Sequence, residues 1–305
     1  MNSILKPGKN PEQPSSHRPI CLLDTIGKLF EKILLTRILH EIGEHGLLRD
    51  EQYGFRPRHS TSLQLARLFE QITRNFCVRR LTGAVFLDMA NFFDTVWIEG
   101  LLYKLIVLNF PSYLVHIISS YLRGRTFQAS FMTTTSSRCG IRAGVAQGGL
   151  ISPALFSLYV NDMPKPSHHV ELALYADDTA IIATSRTPVL LASYLQTYLS
   201  HLERWLTEWK IAIIVSKSSA FIFARAGSRF IQPPLVTLFG EPINWVDTIR
   251  YLGETLDKRL TWSPHIEEVS RRTAQRMGLL GPLLNRRRIS PSGAEFCYTS
   301  SSSAP

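Results

Sequence analysis

Apolar residues recur at helical spacing from Asp24 to about residue 43, where Ile26, Leu29, Phe30, Ile33, Leu34, Ile38, Leu39 and Ile42 predict an amphipathic helix. A second helix is predicted from about 62 to 76, with Leu63, Ala66, Leu68, Phe69 and Ile72 facing inward. The pattern then changes to the short apolar run TGAVFL at 82–87, read as a strand ending in Asp88. Helices follow at 98–108 and 111–122, then a hairpin from 126–131 and 136–141. The glycine-rich stretch GVAQGG leads to Ser152 and Pro153, the expected N-cap and first turn of a helix reaching about Asp162. A long helix from Thr187 and Pro188 to about Trp209 has Leu191, Tyr194, Leu195, Tyr198, Leu202, Trp205 and Leu206 on its buried face. Beyond it the pattern predicts strands at 211–215, 220–224 and 236–239, a hairpin from 243 to 252, and a final amphipathic helix from Ser263 to about 284. No internal repeat is visible.

The stretch LALYADDTAIIAT at 172–184 sets two adjacent aspartates, Asp177 and Asp178, between two apolar runs. Such runs read as paired buried strands, which places the aspartates at or beside a hairpin turn. Two like charges in a partly buried hairpin repel each other, and a hard divalent cation resolves the conflict. Mg²⁺ binds through one or two carboxylates plus substrate phosphates, so the pair is a candidate metal site for phosphoryl or nucleotidyl chemistry. The plainer alternative is an Asp-rich turn with both side chains in water. Asp88, at the end of another β element, supplies a third carboxylate. Carboxylates from separate strands suit a two-metal site with ions about 3.5–4 Å apart. Asp88 and Asp177 are the principal candidate ligands, with Asp178 assisting.

Composition narrows the choice of partner. Thirty-four Lys and Arg against 24 acidic residues give a formal net charge of +10, which favours a polyanion and nucleic acid first. The four cysteines, Cys21, Cys77, Cys139 and Cys297, show no metal-ligand or disulfide spacing, so a reduced, intracellular compartment is expected, with nucleus and cytoplasm both left open. No signal pattern or membrane-spanning apolar stretch is present in the sequence. The proline-rich opening and the low-complexity YTSSSSAP close lead us to expect a fragment.

Six blocks now stand in order: RPICLLDTIGKLFEKIL at 18–34, QYGFRPRHST at 52–61, LDMANFFDTVW at 87–97, AGVAQGGLISPALFSLYVNDM at 143–163, YADD at 175–178 and IRYLGETLDKRLTW at 249–262. In this order they resemble the reverse transcriptases of non-LTR, LINE-type retrotransposons, jockey-like elements above all. The resemblance implies an α+β right-hand polymerase with an antiparallel palm sheet backed by helices. It implies fingers at 1–81 and 112–146, palm at 82–111 and 147–255, and a partial thumb with tail at 256–305. The endonuclease, the first fingers elements and most of the thumb are expected to be missing. It also implies RNA-directed DNA polymerase activity on an RNA template and a DNA primer, using deoxynucleoside triphosphates and two Mg²⁺ ions, with Mn²⁺ as a substitute.

Residue by residue, Asp88, Asp177 and Asp178 match the family's metal-binding aspartates. Phe93 matches an aromatic gate that leaves no room for a 2′-hydroxyl. Gln147 and Gly148 match a loop that packs on nucleotide and template, and Arg18 a fingers arginine on the triphosphate. Lys217 matches a lysine proposed to protonate pyrophosphate, Arg56 a residue along the template, and Tyr251, Leu252 and Gly253 a hairpin gripping the primer end. Arg271, Arg272 and Arg286–Arg288 suit phosphate contacts in the thumb. The chain departs from the pattern at Ala146, where proline is usual, at Phe92, where a small residue precedes the gate, and at Ile214, where asparagine is common. These departures support an alternative, a catalytically decayed remnant of the same fold that still binds nucleic acid. A different two-metal enzyme, a nuclease or nucleotide cyclase, is disfavoured because neither needs the gate.

Overall fold

The computed structural model describes residues 2–5, 10, 12–13, 16–20, 23–128, 130–131, 134–225, 227 and 231–284. Its contacts divide into two units, Met1–Asp247 and Thr248–Pro305.

The first unit opens with strands β1 (Asn2–Leu5) and β2 (His17–Ile20), paired antiparallel, and then helix α1 (Thr25–Glu44). Asp24 starts α1 by accepting a 2.6 Å bond from the Gly27 N–H. Helix α2 (Thr61–Cys77) begins the same way at Ser60, whose hydroxyl accepts from Leu63 N–H at 3.2 Å. Strand β3 (Leu81–Leu87) is buried along its whole length. Helices α3 (Ile98–Val107) and α4 (Ser112–Leu122) follow. One interrupted hairpin comes next: β4 (Thr126–Phe127), β5 (Ser130–Phe131), β6 (Thr134–Thr135) and β7 (Cys139–Gly140). After α5 (Ser152–Tyr159), strands β8 (Val170–Tyr175) and β9 (Asp178–Ser185) form a tight hairpin. Helix α6 (Pro188–Glu208), capped by Thr187, leads to β10 (Ser219–Phe223), β11 (Val236–Leu238), β12 (Glu241–Ile243) and β13 (Trp245–Val246).

Five strands make the central sheet, in the order β13-β10-β3-β9-β8, antiparallel except for β13 on β10. Alternation in β3 sends its residues to two faces. Leu81, Val85 and Leu87 join the main core with Leu191, Leu195 and Leu202 of α6 and with α3, α4 and α5. On the other face Thr82 accepts a 2.9 Å bond from Asn75 of α2. A helix on each side explains why neither face of this strand meets water. Behind the sheet, the buried Lys104 of α3 donates to Tyr159 O and Asp162 Oδ1, each at 2.5 Å, and lies 3.6 Å from the Trp209 ring centroid. Burial pushes its ammonium down from 10.5 to about 8, against the pull of Asp162.

The second unit holds strands β14 (Thr248–Tyr251) and β15 (Glu254–Asp257), a hairpin turned by Leu252 and Gly253 at φ +49° and +92°. Helix α7 (Ser263–Leu284) completes its described part. Among the described residues no helix is long and apolar enough to cross a membrane.

Several expectations need correction. In α1 the buried stripe is Glu31, Leu34, Ile38 and Ile42, while Ile26, Leu29, Phe30 and Ile33 are exposed. The cause is Glu31, whose carboxylate is held by Tyr121 OH and by Leu150 N–H at 2.5 Å, fixing the rotation of the helix. In α2, Leu63 and Ala66 point outward and Leu65 is buried instead. Helix α5 is capped at Ile151 without a side-chain bond and stops at Tyr159. Asn161 and Asp162 instead serve tertiary bonds to Arg49 N–H, Leu47 O, Lys104 and Trp205. The strand expected at 211–215 is absent; a lone bridge joins Ile213 to Met89, and a 3₁₀ turn occupies Val215–Lys217. The hairpin expected from 243 to 252 is split, β13 joining the central sheet and β14 pairing with β15.

Candidate active site

The β3–β9 register sets Leu87 against Thr179, so one more antiparallel step brings Asp88 opposite Asp178. Tyr175 pairs with Asp178, leaving Ala176 and Asp177 as the two-residue turn of the β8–β9 hairpin. Ala176 takes φ +57°, a conformation that costs an alanine roughly 1 kcal/mol. The three carboxylates feel one another: the Asp178 carboxyl is pushed up to about 6, first by desolvation and then by repulsion from Asp177 and Asp88. Among the described residues, however, no three or more His, Cys, Asp or Glu side chains are gathered closely enough to hold a metal ion by themselves. The arrangement is an acidic edge rather than a closed cage. It suits a cation that takes only one or two carboxylates and completes its shell with water and phosphate oxygens.

Two straps hold this edge. Residues 211–218 cross the exit of β3: Ala90 N–H donates to Ala212 O and Ile214 N–H to Asp88 O, both at 2.9 Å, and Asp88 N–H reaches Ser218 Oγ at 3.2 Å. On the opposite side residues 51–54 run beside β8 in a parallel bridge between Gln52 and Leu174. Leu174 N–H donates to Glu51 O at 3.1 Å and Tyr53 N–H to Leu174 O at 2.9 Å. Gly54 then lies so close to the β8–β9 hairpin that a Cβ there would sit 2.0 Å from Ala176 N. Only glycine fits.

Phe93 is half-buried, with ring centroids 4.2 Å from Phe92, 5.9 Å from Phe156 and 6.2 Å from Phe55. Phe92, the bulky departure from the family pattern, packs edge-on to Phe156 at 5.1 Å. The glycine-rich loop docks on the same turn, with Val145 N–H on Phe93 O at 2.7 Å and Gly144 N–H on Val96 O at 2.8 Å. Gly144, at φ +88°, has no room for a Cβ, which would lie 2.7 Å from Asp94 O. Gln147 Nε2 donates to Asp94 at 2.9 Å, and Gly148 adopts φ +94°. The buried Glu31 anchors the far end of this loop through Leu150.

The structure thus brings Asp88, Asp177 and Asp178 to one edge, and Phe93, Gln147 and Gly148 to one loop cluster. Lys217 is exposed on the strap that crosses Asp88. Arg56 is turned toward its own loop, donating to Arg49 O at 3.4 Å. The backbone of Arg18, on β2, pairs with Ile4 of β1, but its side chain lies outside the described residues. So do Arg286, Arg287 and Arg288. In the second unit Arg271 and Arg272 both pair with Glu268, at 2.7 and 2.5 Å. Sequence reasoning missed Gly54, Phe55, Glu31 and Ser218. Glu31 had a signal, an acid on the stripe of Leu34, Ile38 and Ile42; Gly54 and Phe55 lay inside a recognised block without a role.

Residues 4–256 match the family described as reverse transcriptase (RNA-dependent DNA polymerase). The chain belongs to the reverse transcriptase family. A probable RNA-directed DNA polymerase from transposon BS of Drosophila melanogaster is 38% identical over 291 residues, 93% of this chain and 32% of that protein. The RNA-directed DNA polymerase from mobile element jockey of the same species is 36% identical over 274 residues, 87% of this chain and 29% of that one. The chain therefore spans about a third of the length of these curated relatives. Among solved structures, telomerase from Candida tropicalis in complex with the TWJ fragment of telomeric RNA matches at a TM-score of 0.52 with 11% identity, over 78% of this chain and 37% of that one. At that identity the likeness speaks for the fold, a reverse-transcriptase polymerase fold of helices around an antiparallel-dominated sheet.

Proposed function

We propose that this chain is the polymerase portion of a non-LTR retrotransposon protein and adds deoxynucleotides to a primer 3′-hydroxyl on an RNA template. The observation that carries this reading is the register of β3 on β9, which faces Asp88 with Asp178 beside the Asp177 turn. Asp88 and Asp177 would hold the divalent ions, Mg²⁺ or Mn²⁺, with Asp178 contributing charge. Bound there, the ions would supply charge neutralisation for the attacking and leaving oxygens of an in-line displacement.

The chain's own residues do the rest. The two straps fix the height of the carboxylates. Phe93 walls the sugar site and excludes a 2′-hydroxyl by bulk. Gln147 and Gly148 present the loop on which nucleotide and template pack, and Lys217 gives its proton to pyrophosphate; the triphosphate role of Arg18 is carried over from the family resemblance alone. In this reading 1–81 and 112–146 form the fingers, 82–111 and 147–255 the palm, whose Tyr251–Gly253 hairpin grips the primer end, and 256–305 a partial thumb. The net charge of +10 supports a polyanionic partner, and the protein works inside the cell.

The test is primer extension on a defined RNA template with deoxynucleotides and Mg²⁺, comparing this chain with Asp177→Ala. Extension that disappears in the variant supports the reading; extension that survives refutes the metal assignment. RNA binding without extension in the parent chain would favour the decayed remnant, whose motive is Phe92 beside the gate.

A further inference from the structure

Phe55 is 43% exposed and its backbone is left-handed at φ +58°, a conformation in which a bulky aromatic is strained. Strain of that kind persists where neighbouring structure over-determines it. Here the determinants are visible. Gln52 is 1% exposed and its Oε1 accepts the Gly54 N–H at 3.0 Å, Tyr53 N–H is bonded to Leu174 O, and Gly54 is seated on the backbone of Tyr175 and Ala176. From this seat Phe55 meets the Phe93 ring, with centroids 6.2 Å apart and the planes tilted by 32°. Phe156 supports Phe93 edge-on at 5.9 Å and 79°. The ring on the sugar wall is thus supported by Phe156 from the core side and by Phe55 from the strap.

We propose that Phe55 is a positioning residue for the gate: the strap that seats on the catalytic turn carries Phe55 against Phe93, and this contact sets how strictly the site rejects ribonucleotides. The inference rests on the polymerase reading above and adds to it a second determinant of sugar choice, on a segment distant in sequence from the gate. It also gives the strap a physical logic, since the continuous segment 51–55 reaches both the aspartate turn and the gate ring.

The experiment measures single-nucleotide incorporation of dCTP and CTP opposite guanine in an RNA template, as kcat/KM for each, for the parent, Phe55→Ala and Phe55→Tyr. The same three proteins are titrated with each nucleotide on a chain-terminated primer–template, so that binding is read even without turnover. An aromatic pair of this kind corresponds to roughly a threefold to tenfold fall in the deoxy-to-ribo ratio for Phe55→Ala, with Phe55→Tyr keeping the parental ratio. A merely structural contact would lower both nucleotides alike, and an unchanged ratio in a folded Phe55→Ala would overturn the proposal while leaving the polymerase reading intact. A parent chain that neither extends a primer nor binds either nucleotide overturns both.

Discussion

Gly54→Ala adds one methyl group at the point where the 51–54 strap touches the β8–β9 hairpin, which carries the proposed metal ligand Asp177. That Cβ would lie 2.0 Å from Ala176 N, 2.8 Å from Tyr175 C and 3.0 Å from Ala176 Cα, all of them backbone atoms. Ordinary contact begins at 3.4 Å, so strap and turn must separate by about 1.4 Å along this line (3.4 less 2.0). No side chain can rotate away to absorb the shift. Either the strap lifts, losing the bonds between Leu174 and both Glu51 and Tyr53, or the turn carrying Asp177 is displaced. Overpacking of this kind costs about 1–3 kcal/mol in stability. A displacement near 1 Å at a reacting centre lowers rate on the order of 10²-fold. Expected, then, is a melting temperature lowered by a few degrees, RNA binding close to that of the parent, and primer extension reduced about a hundredfold. Adding Ala176→Gly relieves the φ +57° strain and lets the turn yield, so the double variant should recover part of the rate. Gly54→Ala extending primers within twofold of the parent, with an unchanged melt, would refute the claim that the strap is wedged on the turn.

Two further substitutions test the scaffold. Between the lowered value of about 8 and the ordinary 10.5, the unfolded chain keeps a Lys104 proton that the folded chain has released, so stability rises with pH across that window. Lys104→Met should be more stable than the parent near neutral pH, by up to roughly 3 kcal/mol less the lost Asp162 bond, with the advantage fading as pH rises through the window; urea midpoints at several pH values read this, and an advantage independent of pH contradicts it. Glu31→Gln keeps one acceptor and should cost about 1 kcal/mol, whereas Glu31→Ala removes the acceptor of Leu150 N–H and a partner of Tyr121 and should cost about 2–4 kcal/mol. Equal urea midpoints for the two variants would show that the helix is fixed by something other than this carboxylate.

The sheet was readable where local signals agree. TGAVFL and the runs flanking Asp177 are β-rich, apolar and bounded by polar breaks, and they became β3, β8 and β9. The exact pairing of β8 with β9 follows from the tight turn, which leaves no choice of register. Reading failed where a single polar group outweighs a stripe of apolar ones. In α1, hydrophobic periodicity pointed to Ile26, Leu29, Phe30 and Ile33, but a buried carboxylate demands its donors, and satisfying Glu31 leaves those four residues exposed. Residues 211–215 look like a strand because they are apolar and β-branched. They cross the end of β3 instead of pairing along it, a tertiary role that no local pattern encodes. The nearness of Gly54 to Ala176 is likewise a contact between residues more than a hundred positions apart, visible only once the strap lies beside β8.

The carboxylates are placed by two kinds of structure with different tolerances. The five-stranded sheet fixes which residue faces which, and its register is held by a core packed on both faces. The straps at 51–54 and 211–218 fix height and angle through a handful of hydrogen bonds. Each such bond contributes about 1 kcal/mol, a small part of the roughly 5–15 kcal/mol that keeps a domain folded. Catalysis is far less forgiving, because small displacements are paid in rate by powers of ten. On the polymerase reading proposed above, changes in the straps or around the proposed gate, such as Phe92 and Ala146, therefore act on turnover long before they act on the fold. A copy of this chain that has lost activity would keep its sheet, its aspartate pairing and its basic charge, which is why extension and melting must be measured on the same protein.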